Sequence, residues 1–244
     1  MFSKVLTGVS VLFLLLCTVA GSPAMAQDAP RTPATSPVVR IKFAAGATEA
    51  AETGTLTSSR VQVYLIRAGG GQTMMVNVSG SDASLRVAVY PRFYRRPLRG
   101  GDNTQWTGRL PWTGDYLIRV TGNISTQYSL GVTIPQRITF RRRAVSATIN
   151  GMTDAHRTVT YLLRASSGQI MSVMLSSSVN VSPTAPNLGL TIYGLSDGNP
   201  LVRAEGDATS WSGVLPGTQD YVIEAVPALD TPITYTLGVT VTWH

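Results

Sequence analysis

The sequence predicts an all-β protein made of two tandem antiparallel β-sandwich domains of about seven to eight strands each. Apolar and β-branched residues alternate in short runs such as 84–90, and clusters of Gly, Asn, Asp and Pro separate these runs. Beyond the amino-terminal segment, no window carries an apolar stripe of helical period. The third observation is an internal repeat, whose copies of about 100 residues are each long enough to bury a core. A small barrel is the alternative architecture for each copy.

The repeat is visible in three pairs of segments: 64–68 with 161–165, 102–111 with 207–216, and 128–133 with 235–240. The offset between the copies grows from 97 to 107 residues along the chain, so insertions separate the copies and the order of segments is preserved. We therefore place the first copy at 40–135 and the second at 136–244. A junction as short as Pro135-Gln136 predicts that the copies pack against each other or share a sheet edge.

The first 26 residues have the features of an export signal. Lys4 supplies the positive charge, residues 9–20 form an apolar run too short for a membrane span, and residues 24–26 (Ala-Met-Ala) form a small-x-small cleavage site. We expect a periplasmic or secreted protein after cleavage near Ala26. Residues 27–39, rich in Pro, Ala and Thr, are predicted to form a flexible spacer.

Cysteine usage and charge narrow the classes of function. The single cysteine, Cys17, lies in the signal, which predicts a mature chain without disulfides, thiol nucleophiles or cysteine metal ligands. A lipoprotein signal at Cys17 is the alternative, disfavoured because Leu16 precedes it. Residues 40–136 hold eleven basic and five acidic residues, a net charge of +6, whereas residues 137–244 hold seven of each. The basic first copy indicates an anionic partner.

Comparison of the copies predicts which strand faces point inward. Tyr64, Ile66 and Ala68 have apolar counterparts in the second copy, so we place this face in the core. Val61 and Val63, which alternate with them, become threonines in the second copy. The hypothesis is that these valines lie on an outward face that packs on the second copy.

Two recurring motifs are predicted to be structural. An Asp-Tyr pair follows Leu-Pro at 115–116 and again at 220–221, which could indicate a carboxylate site. Recurrence favours instead an Asp that caps a turn and a Tyr whose ring lies in the core while its hydroxyl bonds nearby backbone, as in tyrosine corners. Trp106 and Trp211 are likewise predicted to be core residues, with stacking on a sugar as the alternative.

Residues found in only one copy are the candidates for function. The first copy has a basic and aromatic loop at residues 92–99, here called the arginine loop, where the second copy has an ordinary turn at 194–200. Its candidate binding residues are Arg92, Tyr94, Arg95, Arg96 and Arg99. Trp112, replaced by Gly217 in the second copy, is the predicted exposed aromatic residue. Such residues can bind phosphates, sulfated glycan or an acidic protein surface, and a solvated loop is the alternative.

Residues suited to catalysis or metal binding are sparse. His156 is the one internal histidine, with no second His or Cys near it in sequence, and the serines lack the glycine pattern of a nucleophile elbow. We therefore predict a protein that is not an enzyme, with no catalytic residues, cofactor or metal. We expect no nucleic-acid partner, since the exported chain has no nucleic-acid motif. An insertion in the second copy at 180–188, with two prolines, is a candidate contact element.

The shared residues resemble the bacterial periplasmic inhibitors of g-type lysozyme and, more broadly, the pre-peptidase C-terminal type of β-sandwich. In the first copy the resemblance is carried by Ala50, Gly54, Tyr64, Ala68, Gly71-Gln72, Leu110-Pro111, Gly114, 116–120 and 128–134. In the second copy it is carried by Ser146-Ala147, Gly151, Tyr161, Ala165 and Gly168-Gln169. The inhibitors usually have a single domain, and their Ser-Gly pair after the second strand is here Thr53-Gly54 and Asn150-Gly151. The resemblance implies that a turn with these residues enters a lysozyme cleft, so Thr53, Gly54, Asn150 and Gly151 are candidate contact residues.

Three hypotheses follow. The first is an exported non-enzymatic binding protein, a g-type lysozyme inhibitor-like protein acting through loops on rigid sandwiches, with a protein partner such as a lysozyme. The alternative is an envelope or carbohydrate-binding module that uses the arginine loop and Trp112 on anionic glycan. A hydrolase is least favoured because no catalytic constellation accompanies the fold. No transmembrane segment is expected in the mature chain.

Overall fold

A computed structural model describes residues 37–57, 60–100, 103–153, 157–177 and 187–243 of the chain. The predicted export signal, most of the predicted spacer, His156 and most of the 180–188 insertion lie outside the described residues. Within the described ranges, no helix has the length and apolar character needed to cross a membrane.

The first half of the chain forms two four-stranded sheets. In chain order the strands are β1 (Val39–Arg40), β2 (Glu49–Leu56), β3 (Gln62–Ala68), β4 (Thr73–Gly80), β5 (Arg86–Pro91), β6 (Gln105–Arg109), β7 (Gly114–Thr121) and β8 (Thr126–Thr133). One sheet has the order β1-β3-β7-β5 and the other β2-β8-β4-β6. Side chains from both sheets meet in one buried cluster, so the two sheets form a sandwich.

The second half repeats this arrangement. Its strands are β9 (Gln136–Arg137), β10 (Ser146–Thr153), β11 (Val159–Ala165), β12 (Ile170–Ser177), β13 (Leu188–Gly194), β14 (Pro200–Val202), β15 (Ser210–Val214), β16 (Gln219–Pro227) and β17 (Ile233–Thr242). The sheet orders are β14-β13-β16-β11-β9 and β10-β17-β12-β15. A single turn of 3-10 helix, Ala204–Gly206, follows β14. A second buried cluster lies between these two sheets.

The predicted all-β sandwich class is confirmed, with one departure from purely antiparallel pairing. The two-residue strands β1 and β9 lie parallel to β3 and β11. Each pairing places the following isoleucine in a core, Ile41 in the first half and Ile138 in the second, at 4% and 6% exposure. These short strands therefore fix where the chain enters each sandwich.

The inward face predicted for β3 is confirmed. Tyr64, Ile66 and Ala68 belong to the core cluster of the first half. Val63 is buried and Val61 is half-buried, while neither belongs to that cluster. On β11, Leu162 is also buried outside its own core cluster. The faces of β3 and β11 that point away from the cores are therefore covered as well.

The two halves contact each other through hydrogen bonds on the covered face of β11. Thr48, just before β2, accepts a hydrogen bond from the Thr160 amide at 2.8 Å and donates to the Thr158 carbonyl at 3.4 Å. The Glu49 carboxylate accepts from the Thr158 amide at 3.0 Å. Thr48 and Thr160 are each 2% exposed, so these bonds lie in a buried junction.

Candidate functional site

The residues expected in a cleft-entering turn lie instead within strands. Thr53 and Gly54 are in the middle of β2, and Asn150 and Gly151 are in the middle of β10. Both strands are the outermost strands of their sheets. The expectation of a turn is therefore wrong, because the segment continues its ladder with β8 or β17 over all eight residues.

Each glycine faces the ring of a tyrosine on the neighbouring strand. Gly54 pairs with Tyr128, and a Cβ at residue 54 would lie 2.6 Å from the Tyr128 Oη. The Tyr128 hydroxyl shares a hydrogen bond of 2.7 Å with that of Tyr64 on the facing sheet. Burial, together with the bond to Tyr64, raises the pKa of Tyr128 far above its ordinary range, so this hydroxyl stays protonated. Glycine is thus needed at residue 54 because the tyrosine ring occupies the space of a side chain.

The second half contains the same frame. Gly151 pairs with Tyr235, and a Cβ at residue 151 would lie 2.5 Å from the Tyr235 Oη. Tyr161 and Tyr235 share a hydroxyl hydrogen bond of 2.7 Å across the core. The structural need for both glycines therefore accounts for their recurrence without invoking a partner.

An open groove lies over each glycine. The first groove, of about 630 Å³, is lined by Thr53, Gly54, Thr55, Ser79, Gly80, Gln127, Tyr128 and Ser129. The second groove, of about 590 Å³, is lined by Asn150, Gly151, Met152, Ser176, Ser177, Thr234, Tyr235 and Thr236. Thr53, Thr55, Asn150 and Met152 are all exposed. Because they flank the glycines, the two grooves occupy equivalent places in the two sandwiches.

The predicted tyrosine corner is confirmed in both halves. The Tyr116 hydroxyl donates to the Trp112 carbonyl at 2.6 Å, and the Tyr221 hydroxyl donates to the Gly217 carbonyl at 2.7 Å. Both tyrosines are fully buried. In the first half this bond fixes the backbone that carries Trp112.

The aspartates beside these tyrosines form ion pairs rather than turn caps, which corrects the prediction. Asp220 accepts two hydrogen bonds of 2.9 Å from the Arg137 guanidinium. Its counterpart Asp115 accepts one of 2.8 Å from Arg92 and lies 3.6 Å from Arg40. The Arg92 guanidinium is the main cause that holds the pKa of Asp115 below its usual range. The ion pair of Arg92 with Asp115 therefore helps to hold the arginine loop in place.

The arginine loop is attached to its sandwich at both ends. The Arg92 amide donates to the Asp115 carbonyl at 3.1 Å, and the Leu98 amide donates to the Val89 carbonyl at 2.7 Å. At the far end, the buried indole of Trp106 donates to the Arg99 carbonyl at 3.1 Å. Trp106 is 1% exposed, as predicted for a core residue, whereas Trp211 is only half-buried. The exposed middle of the loop is thus held between fixed ends.

The structure brings Tyr94 and Trp112 together. Their ring centroids are 5.1 Å apart with an interplanar angle of 37°. Trp112 is 41% exposed, as predicted, and Tyr94 is 58% exposed. Phe93, beside Tyr94, is 89% exposed, and the Arg92 guanidinium lies 5.6 Å from its ring centroid. Phe93 is not among the binding residues predicted from the sequence, although two adjacent aromatic residues between arginines are a signal for it.

The other three arginines of the arginine loop are exposed, and the described residues hold no cluster of metal-ligating side chains. Arg95, Arg96 and Arg99 are exposed, and no carboxylate of the described residues pairs with them. The described part of the chain contains no group of three or more His, Cys, Asp or Glu side chains that could hold a metal ion. The candidate residues therefore form two kinds of surface: a groove on each sandwich, and the arginine loop with Trp112 on the first.

Comparison with known proteins gives matches only among solved structures. No family model matches the chain, and no curated protein sequence matches it. The periplasmic g-type lysozyme inhibitor PliG of Aeromonas hydrophila is 29% identical over 40% of this chain and 95% of its own, with a TM-score of 0.37. PliG of Salmonella Typhimurium is 21% identical over 41% of this chain and 98% of its own, with a TM-score of 0.35. A mutant PliG of Escherichia coli is 22% identical over 40% of this chain and 96% of its own, with a TM-score of 0.32.

Proposed function

We propose that the chain is an exported, non-enzymatic binding protein that acts like an inhibitor of g-type lysozyme. It would leave the cytoplasm through the segment that ends near Ala26 and contact a partner protein in the periplasm. The observation that supports this proposal most is the equivalent exposure of Thr53 and Thr55 on β2 and of Asn150 and Met152 on β10. These residues flank the glycines through which the chain resembles the inhibitors.

The grooves are suited to protein recognition because they combine a rigid floor with an open strand edge. The paired tyrosine hydroxyls below each groove join the two sheets, so the floor does not need to be ordered on binding. As outermost strands, β2 and β10 present backbone donors and acceptors on one side. A partner segment can pair with such an edge while its side chains contact the groove.

The two grooves differ in the side chains at their edges. We therefore expect them to bind different partners, or the same partner with different affinities. The first groove has the hydroxyls of Thr53 and Thr55 at its edge. The second has the amide of Asn150, which accepts a hydrogen bond from Thr236 at 3.1 Å, and the 59%-exposed thioether side chain of Met152. We therefore expect one groove to dominate the binding of any given lysozyme.

The test is inhibition of peptidoglycan lysis by a g-type lysozyme, with the chain from residue 27 onward and two groove variants, Thr53→Arg and Asn150→Arg. Both positions are exposed, so the variants should fold. We expect the variant in the dominant groove to weaken inhibition by at least tenfold, because a bulky charge blocks the strand edge.

Matched controls place the same substitution on the opposite edge of the same sheets. Gln105→Arg on β6 and Ser210→Arg on β15 alter exposed edge residues outside both grooves and should inhibit like the parent chain. Absence of inhibition by the parent protein at micromolar excess would overturn the proposed function. Inhibition that neither groove variant changes would overturn the assignment of the grooves.

A further inference from the structure

We infer that the arginine loop and Trp112 form a second binding surface, one that attaches the protein to an anionic lipid bilayer. None of the residues of this surface lines either groove. It occurs only in the first half, because the second half has the turn 194–200 and Gly217 at the corresponding places. The inference is independent of the proposed function and adds an attachment site to it.

The aromatic residues have the arrangement that a membrane interface favours. Phe93 is 89% exposed, so its ring gains by leaving water for the region of the acyl chains. The rings of Tyr94 and Trp112 contact each other, and both residue types are enriched at the level of the lipid headgroups. The described residues thus provide one apolar tip with two interfacial aromatic side chains.

The charges of the surface match an anionic bilayer. Arg95 and Arg96 follow the aromatic tip directly, Arg99 ends the loop, and no carboxylate of the described residues neutralises them. Basic side chains next to an anionic membrane are attracted to the phosphates of its headgroups. The carboxylate of Asp115 pairs with Arg92 and Arg40 instead.

The same geometry favours a bilayer over a polysaccharide. Tyr94 and Trp112 have ring centroids 5.1 Å apart at 37°, so their faces are partly turned to each other rather than offered as a flat platform for a sugar. Phe93 has no polar group to bond a hydroxyl-rich ligand. Its exposure has a physical explanation if the tip enters an apolar phase.

The experiment measures cosedimentation of the exported chain with two kinds of vesicle, phosphatidylglycerol mixed with phosphatidylcholine, and phosphatidylcholine alone. We expect binding to the anionic vesicles, reduced by salt, with a blue shift of tryptophan fluorescence as Trp112 leaves water. The double variant Arg95→Gln/Arg96→Gln should lower the partition coefficient roughly thirtyfold, since each basic residue near the surface contributes about 1 kcal/mol. Phe93→Ser should lower it about tenfold.

Matched controls remove the same groups elsewhere. Arg141→Gln/Arg142→Gln takes two charges from an exposed turn of the second half, and Ile124→Ser removes a 56%-exposed apolar side chain from the β7–β8 turn. Both should bind anionic vesicles like the parent chain. Equal loss in the control and test variants would overturn the inference, as would failure of the parent to bind. Retention on a sulfated polysaccharide column that does not depend on Phe93, without vesicle binding, would replace the bilayer by an anionic glycan.

Discussion

At the scale of single residues, the frame of Gly54, Tyr128 and Tyr64 shows how a repeated glycine can be structural. The tyrosine ring lies over its strand neighbour, where any side chain would have to displace it. Displacing Tyr128 would also break its hydroxyl bond to Tyr64 in the core. The cost therefore combines overpacking with the loss of a buried hydrogen bond.

We predict that Gly54→Ala lowers the free energy of unfolding by about 2–4 kcal/mol, because the overpacking and hydrogen-bond losses add. Urea unfolding followed by circular dichroism measures this value. Gly238→Ala is the matched control, since it is also a strand glycine but the nearest atom to a Cβ there is the Met174 carbonyl oxygen at 3.9 Å. The control should be neutral or slightly stabilising. If both variants unfold at the same urea concentration, the close approach of Tyr128 is not what requires glycine.

The comparison of the two copies predicted most of the buried structural residues, but not the side chains that they contact across the core. Tyr64, Trp106 and Tyr116 were predicted to be architectural, and all three are buried. Period-two alternation tells which face is inside, yet it does not tell which side chain across the sheet a given residue meets. For this reason the Tyr64–Tyr128 hydroxyl bond was not predicted, although both tyrosines recur in the second copy.

At the scale of elements, an ion pair holds the short strand that begins the second sandwich. Arg137 of β9 binds Asp220 of β16 through two hydrogen bonds, while the next residue, Ile138, donates its amide to the Leu162 carbonyl at 2.8 Å. With only two residues in its ladder, β9 depends on this side-chain contact. In the first sandwich the corresponding aspartate, Asp115, forms ion pairs with Arg40 of β1 and with Arg92.

We predict that Asp220→Asn destabilises the protein by about 1 kcal/mol at neutral pH, a modest loss because solvent screens the partly exposed Arg137. The hydrogen bonds from Arg137 are the main cause that lowers the pKa of Asp220 below its ordinary 3.8. Its stabilising contribution is thus present above that pH and is lost as the pH falls through the folded-state value. The variant and parent should converge in acid.

Amide exchange at Ile138 provides the local measurement, and it should accelerate in Asp220→Asn at neutral pH. Asp207→Asn is the control, since it removes the same charge from an exposed turn position with positive φ that asparagine tolerates. A stability difference between Asp220→Asn and the parent that stays constant down to pH values well below 3.8 would contradict the role of the ionised carboxylate.

Local sequence patterns predicted the strands and the loop, but they did not reveal contacts between residues far apart in the chain. The alternating runs predicted the strands, and the missing counterpart in the second copy singled out the arginine loop. The resemblance to the lysozyme inhibitors implied a turn at the Thr53-Gly54 segment. In the structure the glycine serves a close approach within β2, a role that depends on a residue 74 positions further along the chain.

At the scale of the whole molecule, the described residues between 37 and 243 form one compact unit in which the two sandwiches are joined by hydrogen bonds of Thr48 and Glu49. The short junction at Pro135-Gln136 predicted contact between the copies, but not which residues make it. Thr48 has no distinctive sequence pattern around it. Its role follows only from the placement of β2 against β11.

We predict that Thr48→Val uncouples the two sandwiches, because valine keeps the shape of threonine but cannot accept the hydrogen bond from the Thr160 amide. That amide is buried, and leaving it without a partner costs about 1–3 kcal/mol. Hydrogen exchange followed by mass spectrometry during urea unfolding reports on each half separately. In the parent chain, peptides from β4 and from β12 should open at the same urea concentration, whereas in the variant the two transitions should separate.

Thr126→Val is the control, since this threonine is also buried but its hydroxyl bonds only Ser81 and the Gln127 carbonyl within the first sandwich. Loss of that hydroxyl should lower the stability of the first half without removing a bond between the halves. The two variants make the same chemical change, but only Thr48→Val removes a hydrogen bond between the halves. If Thr48→Val leaves both transitions coincident at the parent's midpoint, the buried Thr48–Thr160 hydrogen bond does not couple the sandwiches, and the remaining contacts between them, including the Glu49–Thr158 hydrogen bond, must do so.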